Sequence, residues 1–231
     1  MEKTNEVKIP YIDIHTHNRE NHEEVITVQS LFLQNIELQN DITTLFSAGI
    51  HPWHATKFTI VEVSSMLEKL EKDKGLIAIG ETGLDRFCKV DFQQQKLIFE
   101  LHLEFAEKYR KPIIIHAVKT LNDLIIYIKR AKVPFIFHGY QGGTEITKQL
   151  INFGCYFSLG KSVLSISPRL LEAIQIIPLT SLFLETDDSN TDIREIYLEV
   201  SKIRGISLEE LKIQITENFT RLFELPYYTK S

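Results

Sequence analysis

The chain has 231 residues, 43% hydrophobic and 25% charged, with 10 Gly and 7 Pro, the balance of a globular protein forming one barrel-sized domain over 1–231. Its formal charge of −5 argues against a protein that grips long nucleic acid by displacing counterions, but not against a centre handling one phosphate. The polar start Met1–Glu6 lacks the apolar run of a signal sequence, and no stretch is long and apolar enough to span a membrane, so the cytoplasm is the expected compartment.

The first element is a strand, Tyr11-Ile12-Asp13-Ile14-His15-Thr16-His17. Residues i and i+2 of a strand face the same side, so His15 and His17 can aim two nitrogen donors at one divalent cation. The link 18–24 is polar and short for a packed helix. Val25–Phe32 then reads as a second, β-branched strand, although a parallel crossover normally takes about a dozen residues. Ile42–Ile50 reads as a third strand, which Pro52 stops, leaving His51 at its rim and His54 in an exposed loop. Ile60, Val63, Met66, Leu67 and Leu70 recur at helical spacing through 59–74, and Gly75 closes that helix.

An alternation of apolar strand, polar rim residue and amphipathic helix follows. Leu76–Glu81 is a buried strand with Glu81 at its end, and Asp91 caps a helix running to Tyr109. The strand 111–116 ends in His116, with helix 121–132 behind it. The strand 133–138 ends in His138, with helix 144–153 after it. Cys155–Gly160 is a strand without a ligand at its end, Cys155 being a core residue. Cys88 is a loop thiol, and two cysteines make no disulfide framework. Ser167 and Pro168 open a helix to Ile176. The last strand, Leu182–Asp187, ends in Asp187, and two helices, 192–204 and 207–223, complete the chain.

These runs predict an α/β fold, a TIM-like (β/α)8 barrel in which the helix between the first two strands is reduced or missing. The strands are continuous apolar runs because both faces are covered. Such barrels carry active sites at the carboxyl ends of their strands. His15, His17, His51, Glu81, His116, His138 and Asp187 all stand at such ends, so they should converge on one mouth. Buried imidazoles and carboxylates are costly unless paired or metal-bound, and ligation explains this sorting better than packing does. Four histidines (His15, His17, His116, His138) and two carboxylates exceed the needs of one tetrahedral cation. They point to two divalent ions, Mg, Mn or Zn, sharing a carboxylate, with Glu81 the natural bridge. Such a pair can activate a water and neutralise charge during a displacement at phosphorus, with Asp187 binding metal and taking the proton.

Together these residues resemble the TatD family of metal-dependent deoxyribonucleases. The likeness runs from Tyr11 to about Phe223. It rests on Asp13-Ile14-His15-Thr16-His17, Gly49-Ile50-His51-Pro52, Ile79-Gly80-Glu81-Thr82-Gly83-Leu84-Asp85, His116, His138-Gly139, Leu184-Glu185-Thr186-Asp187 and Asn218-Phe219-Thr220-Arg221-Leu222-Phe223. It implies one metal held by His15, His17, Glu81 and Asp187, a second by Glu81, His116 and His138, and hydrolysis of DNA from the 3′ end. The chain departs from the family pattern in the short first crossover and in the loops Tyr140-Gln141-Gly142-Gly143 and Asp188-Ser189-Asn190, which face substrate rather than metal.

At the rim, His51, Arg86, Lys119 and Lys161 are the candidates for substrate phosphate contacts. Asp13 and Glu185 are candidates to support the metal ligands through hydrogen bonds. Trp53 and Tyr140 sit in rim loops where a ring can stack on a base, though loop packing is the simpler reading of both. DNA ends or short oligonucleotides are the expected substrate, and the flank bared by the short crossover is a candidate surface for a second copy or a partner protein. Two other readings stand beside the nuclease: a metal-dependent amidohydrolase or deacylase on the same barrel, and a metal-binding partner protein with little turnover.

Overall fold

Eight parallel strands pair in chain order: β1 (Tyr11–Thr16), β2 (Val25–Phe32), β3 (Leu45–Gly49), β4 (Leu76–Asp85), β5 (Ile113–Val118), β6 (Phe135–Phe137), β7 (Tyr156–Leu159) and β8 (Leu182–Leu184). They are seen in a computed structural model that describes residues 8–18, 23–36 and 44–225. The sheet nearly closes on itself. Thr16 bridges Asp187, the Asp187 N–H donates to the His15 carbonyl at 2.9 Å, and the His17 N–H donates to the Asp187 carbonyl at 3.0 Å. This is a TIM-like (β/α)8 barrel.

From β3 onward a helix covers each crossover: α1 (Ile60–Lys69), α2 (Phe92–Tyr109), α3 (Leu121–Arg130), α4 (Thr144–Asn152) and α5 (Pro168–Ile176), with α6 (Ile193–Arg204) and α7 (Leu208–Phe223) after β8. Polar side chains start several of them. Asp91 accepts from the Gln94 N–H, Ser167 from Leu170, and Thr59 with Glu62 and Ser207 with Glu210 form reciprocal capping boxes, each satisfying N–H groups the helix cannot.

The first crossover is different. β1 and β2 are parallel neighbours joined only by residues 17–24, of which 19–22 lie outside the described residues, and no helix occurs among those described. Between β2 and β3 the described residues hold one 3-10 turn, Leu33–Asn35. The expected start of the third strand at Ile42 lies outside the described residues.

Several element ends differ from the sequence reading: β1 stops at Thr16, just before His17, β5 runs past His116 to Val118, and β6 stops at Phe137, just before His138. β4 continues beyond Glu81 to Asp85, all ten residues buried, because its ladder with β5 resumes from Thr82 onto Ile115 after a register shift. Gly80 and Gly83 permit this: both have positive φ, and a side chain at either would strike the Ile114 or the His116 carbonyl. β8 stops at Leu184, so Glu185–Asp187 form a loop, and α1 ends at Lys69, followed by a turn in which the Gly75 N–H donates to Asp73 at 2.9 Å.

The core runs from the barrel interior to the helix layer. Ile12, Ile14, Ala48, Ile79, Ile115 and Phe157 are all fully buried. The Tyr197 hydroxyl accepts the Ile12 N–H at 2.9 Å and donates to the Ile12 carbonyl at 3.1 Å, pinning α6 to β1. Both backbone groups are buried, so losing the hydroxyl costs about 1–3 kcal/mol for each group left unpaired.

Candidate metal centre

The strand ends bring His15, His17, His51, Glu81, His116, His138 and Asp187 into one cluster. Its centre is the nearly buried carboxylate of Glu81. One oxygen, Oε2, faces His15 Nε2 and His17 Nε2, each at 3.6 Å. The other, Oε1, faces His116 Nδ1 at 2.7 Å, His138 Nε2 at 2.8 Å and His51 Nε2 at 3.2 Å. Asp187 Oδ1 closes the first side, 3.6 Å from His15 and 3.8 Å from His17. The two oxygens of one carboxylate thus look into two different donor sets.

The donors fit divalent ions. His15 is fully buried with neither ring nitrogen hydrogen-bonded, and an orphaned buried imidazole is costly unless something else occupies its lone pair. Its 3.6 Å separations are too long for hydrogen bonds, yet tetrahedral ligands about 2.1 Å from a shared cation stand about 3.4 Å apart. The His15–His17–Glu81 group, the His15–His138–Asp187 group and the His51–Glu81–His116 group each keep their donor atoms within 4.8 Å of one another.

The groups behind the imidazoles set which nitrogen is available. His116 turns Nε2 toward Asp85 Oδ2 at 3.5 Å, and His138 turns Nδ1 toward Glu185 Oε1 at 3.5 Å. A carboxylate behind a ring holds the proton on that side and leaves the opposite nitrogen free for a metal. His51 is backed by a donor instead: the Trp53 N–H points at His51 Nδ1 across 3.2 Å. An Nδ1 that accepts leaves the proton on Nε2, so His51 enters the cluster as a hydrogen-bond donor.

Charge follows the same division. Burial opposes ionisation of His15, yet the Asp187 and Glu81 carboxylates raise it to about 9. His138, equally buried, is lifted well above the usual histidine range by Glu81 and Glu185. Burial pushes Glu81 up, but the facing imidazoles, His138 and His116 foremost, hold it well below the carboxylate range. Asp187 is lowered, with burial opposed by His15. Burial lowers His51, consistent with a neutral donor. The acidic centre requires positive charge, which a divalent ion supplies with the imidazoles neutral.

A family model described as TatD related DNase matches residues 13–224. The chain belongs to the TatD family. A Buchnera aphidicola (subsp. Baizongia pistaciae) protein named an uncharacterized metal-dependent hydrolase is 26% identical over 242 residues, 94% of this chain and 89% of its own length. YcfH of Escherichia coli K12, with the same description, is 27% identical over 199 residues, 78% and 74% of the two chains. YjjV of E. coli K12, solved as a TatD homologue, superposes with a TM-score of 0.80 at 21% identity, covering 94% of this chain and 98% of its own, a likeness of fold. The protein is a metal-dependent hydrolase of the TatD type.

Around this TatD centre, the rim residues fall into different situations. Arg86 is held by Asp123 through contacts of 2.8–3.1 Å and lies over Phe92. Lys161 pairs with Asp188 at 3.1 Å beside a cleft of about 400 Å³ that Gly139, Gln141, Glu185 and Asp187 also line. Lys119 is exposed just past β5 in a left-handed conformation, with no ion pair among the described residues. Tyr140 is buried and bonded to Thr147 at 2.7 Å, a packing residue.

Asp13 does not touch the imidazoles of His15 and His17. It accepts the Thr186 N–H at 3.0 Å and the Thr186 hydroxyl at 2.6 Å, fixing the loop that turns into Asp187, whose φ is 54°. Three contributors escaped the sequence reading. Asp85 backs His116, and Thr186 joins Asp13 to the Asp187 loop. His102, fully buried on α2, accepts the Ile50 N–H through Nε2 at 2.9 Å and holds the segment entering His51. Only Asp85 carried a signal, as the polar end of the Glu81 motif.

Proposed function

We propose that the chain hydrolyses phosphodiester bonds at DNA ends, releasing nucleotides from the 3′ end, with two divalent ions, Mg, Mn or Zn, as cofactors. The observation that carries the reading is the Glu81 carboxylate, whose oxygens face separate donor sets. His15, His17 and Asp187 would hold one ion with Glu81, and His116 and His138 the other. Bound there, divalent ions supply a lowered water pKa and neutralisation of charge on the phosphate oxygens.

The chain's own side chains supply the rest. The Asp187 side chain keeps 33% of its surface open, against 8% for Glu81, so it is the carboxylate that solvent reaches and that can take a proton from the attacking water. His51 Nε2–H donates to a phosphate oxygen, and Lys119 supplies an exposed cation at the rim. The family description as DNase-related supports DNA as the substrate, while the barrel alone would serve other hydrolyses equally.

The test is an assay of 3′-labelled and 5′-labelled single-stranded oligonucleotides with Mn or Mg, beside Glu81→Ala. Immediate release of the 3′ label, a shortening ladder from the 5′-labelled strand and no activity in the variant are the expected results. Turnover of amide or ester substrates with none of oligonucleotides would overturn the reading in favour of an amidohydrolase.

A further inference from the structure

We infer that the exposed indole of Trp53 is a stacking platform for a nucleobase next to the scissile phosphate, an inference that rests on the oligonucleotide reading above. Trp53 lies in a short 3-10 turn, Pro52–His54, directly after His51. Its ring stands edge-on to His51 at 4.7 Å and 6.2 Å from His116, on the Oε1 side of Glu81. A tryptophan that served only loop packing would be covered. This one is 56% exposed.

It is nevertheless held in one orientation. The indole N–H donates to Asp85 Oδ2 at 2.6 Å, a short charge-assisted bond to a carboxylate that is only 3% exposed. The same Asp85 accepts the Phe87 N–H through its other oxygen at 2.7 Å, and Phe87 is itself 74% exposed. One buried carboxylate therefore fixes two solvent-facing aromatic residues at one rim. Fixing an open ring spends a strong hydrogen bond on orientation without gaining burial, which suits a ring whose cover is a ligand. The ligand class follows from the partner groups. The indole N–H is committed to Asp85, so the open ring offers a π-face and no donor, and it accepts any base by stacking rather than reading its edge.

Trp53 is the single tryptophan of the chain, so intrinsic fluorescence reports it directly. The experiment titrates the manganese-loaded protein with hydrolysis-resistant phosphorothioate oligonucleotides, intact or abasic at the terminal and penultimate positions. Stacking predicts saturable quenching by the intact strand and roughly 5- to 150-fold weaker binding, without quenching, of the abasic one. In Trp53→Ala the intact-to-abasic affinity ratio should fall to within about twofold of one, whatever happens to either affinity alone. Trp53→Phe keeps a ring but loses the bond to Asp85. It should retain the ratio, whereas a Trp53 that only steadied Asp85 would make Phe behave like Ala.

Equal wild-type affinities for intact and abasic strands, or an unchanged ratio in Trp53→Ala, overturn the platform. If wild-type protein cleaves unmodified intact and abasic strands alike, the nuclease reading stands and the platform falls. If it neither binds nor cleaves either strand while holding metal, the nuclease reading falls and takes the platform with it.

Discussion

Asp13 and Thr186, at opposite ends of the chain, are joined by two hydrogen bonds of 3.0 and 2.6 Å that couple β1 to the loop after β8. Through them the strand carrying His15 and the loop carrying Asp187 are fixed relative to each other. Thr186→Val keeps the shape and the backbone bond but removes the hydroxyl that donates to the carboxylate. Leaving the buried Asp13 oxygen unpaired costs about 1–3 kcal/mol, and groups that orient metal ligands typically govern about 10- to 100-fold in affinity. Thr186→Val should lower the unfolding free energy in urea by that amount and weaken Mn binding in calorimetry by that factor. Unchanged values in both measurements would show that the backbone hydrogen bonds hold the junction without the Thr186 hydroxyl.

His102 makes a prediction about pH. Its Nδ1 lies 2.7 Å from the Ile98 carbonyl, which can only accept, and its Nε2 accepts from the Ile50 N–H, so its contacts demand the neutral ring. Burial accordingly lowers its pKa to about 4. The unfolded chain takes up this proton below about pH 6.5 while the folded chain does not until about 4, so U binds more protons across that window and stability falls as the pH drops through it. The loss approaches about 3 kcal/mol. His102→Gln places a side-chain amide there that can make both bonds without titrating. The difference between the two proteins' urea stabilities should therefore shift toward the variant from pH 6.5 to 4 and be constant above pH 7. A pH-independent difference would mean that His102 titrates normally.

How much of this was legible in the chain depends on the range of the interaction that fixes each part. The barrel and the convergence of its polar rim residues were readable because β-strand and helix periodicity are local. Glu81, His116 and His138 each close a continuous apolar run, and His15 and His17 share a strand face. Asp85 was harder, because its role depends on β4 continuing past Glu81, and that follows from Gly80 and Gly83 lying against β5 carbonyls. Asp13 stands beside the histidines in sequence, yet its hydrogen-bond partner is Thr186, 173 residues away. His102 sits among the buried residues of α2 and reads as core. Its functional contact, the Ile50 N–H, belongs to another element and has no periodicity. The donor role of His51 rests on one backbone N–H that only the turn Pro52–His54 brings under its ring.

That turn makes a further prediction. If the Trp53 N–H keeps His51 Nδ1 as an acceptor, His51 contributes Nε2–H to substrate rather than a lone pair to metal. His51→Ala should then keep the Mn stoichiometry and lose rate, by about 10²- to 10³-fold if the donor aims at charge developing in the transition state. His116→Ala, which removes a ring backed by Asp85, should lose one Mn equivalent. Loss of a metal equivalent in His51→Ala would assign His51 to the ligand set.

Asp187 separates catalysis from binding. It is the most open carboxylate of the centre and stands 3.6 and 3.8 Å from the imidazoles of His15 and His17, so it can touch both a metal and a water. Asp187→Asn preserves the shape and one oxygen but removes the charge and nearly all basicity. A positioned general base contributes about 10²- to 10⁴-fold, so turnover of oligonucleotide ends at saturating Mn should fall by at least the lower figure. Affinity for the strand should stay within a few-fold, because its phosphate contacts lie elsewhere on the rim. His15→Ala removes a buried ring with no hydrogen-bond partner and should lose metal affinity together with rate. Near-normal hydrolysis by Asp187→Asn would refute the proton transfer to Asp187 even with both metals in place.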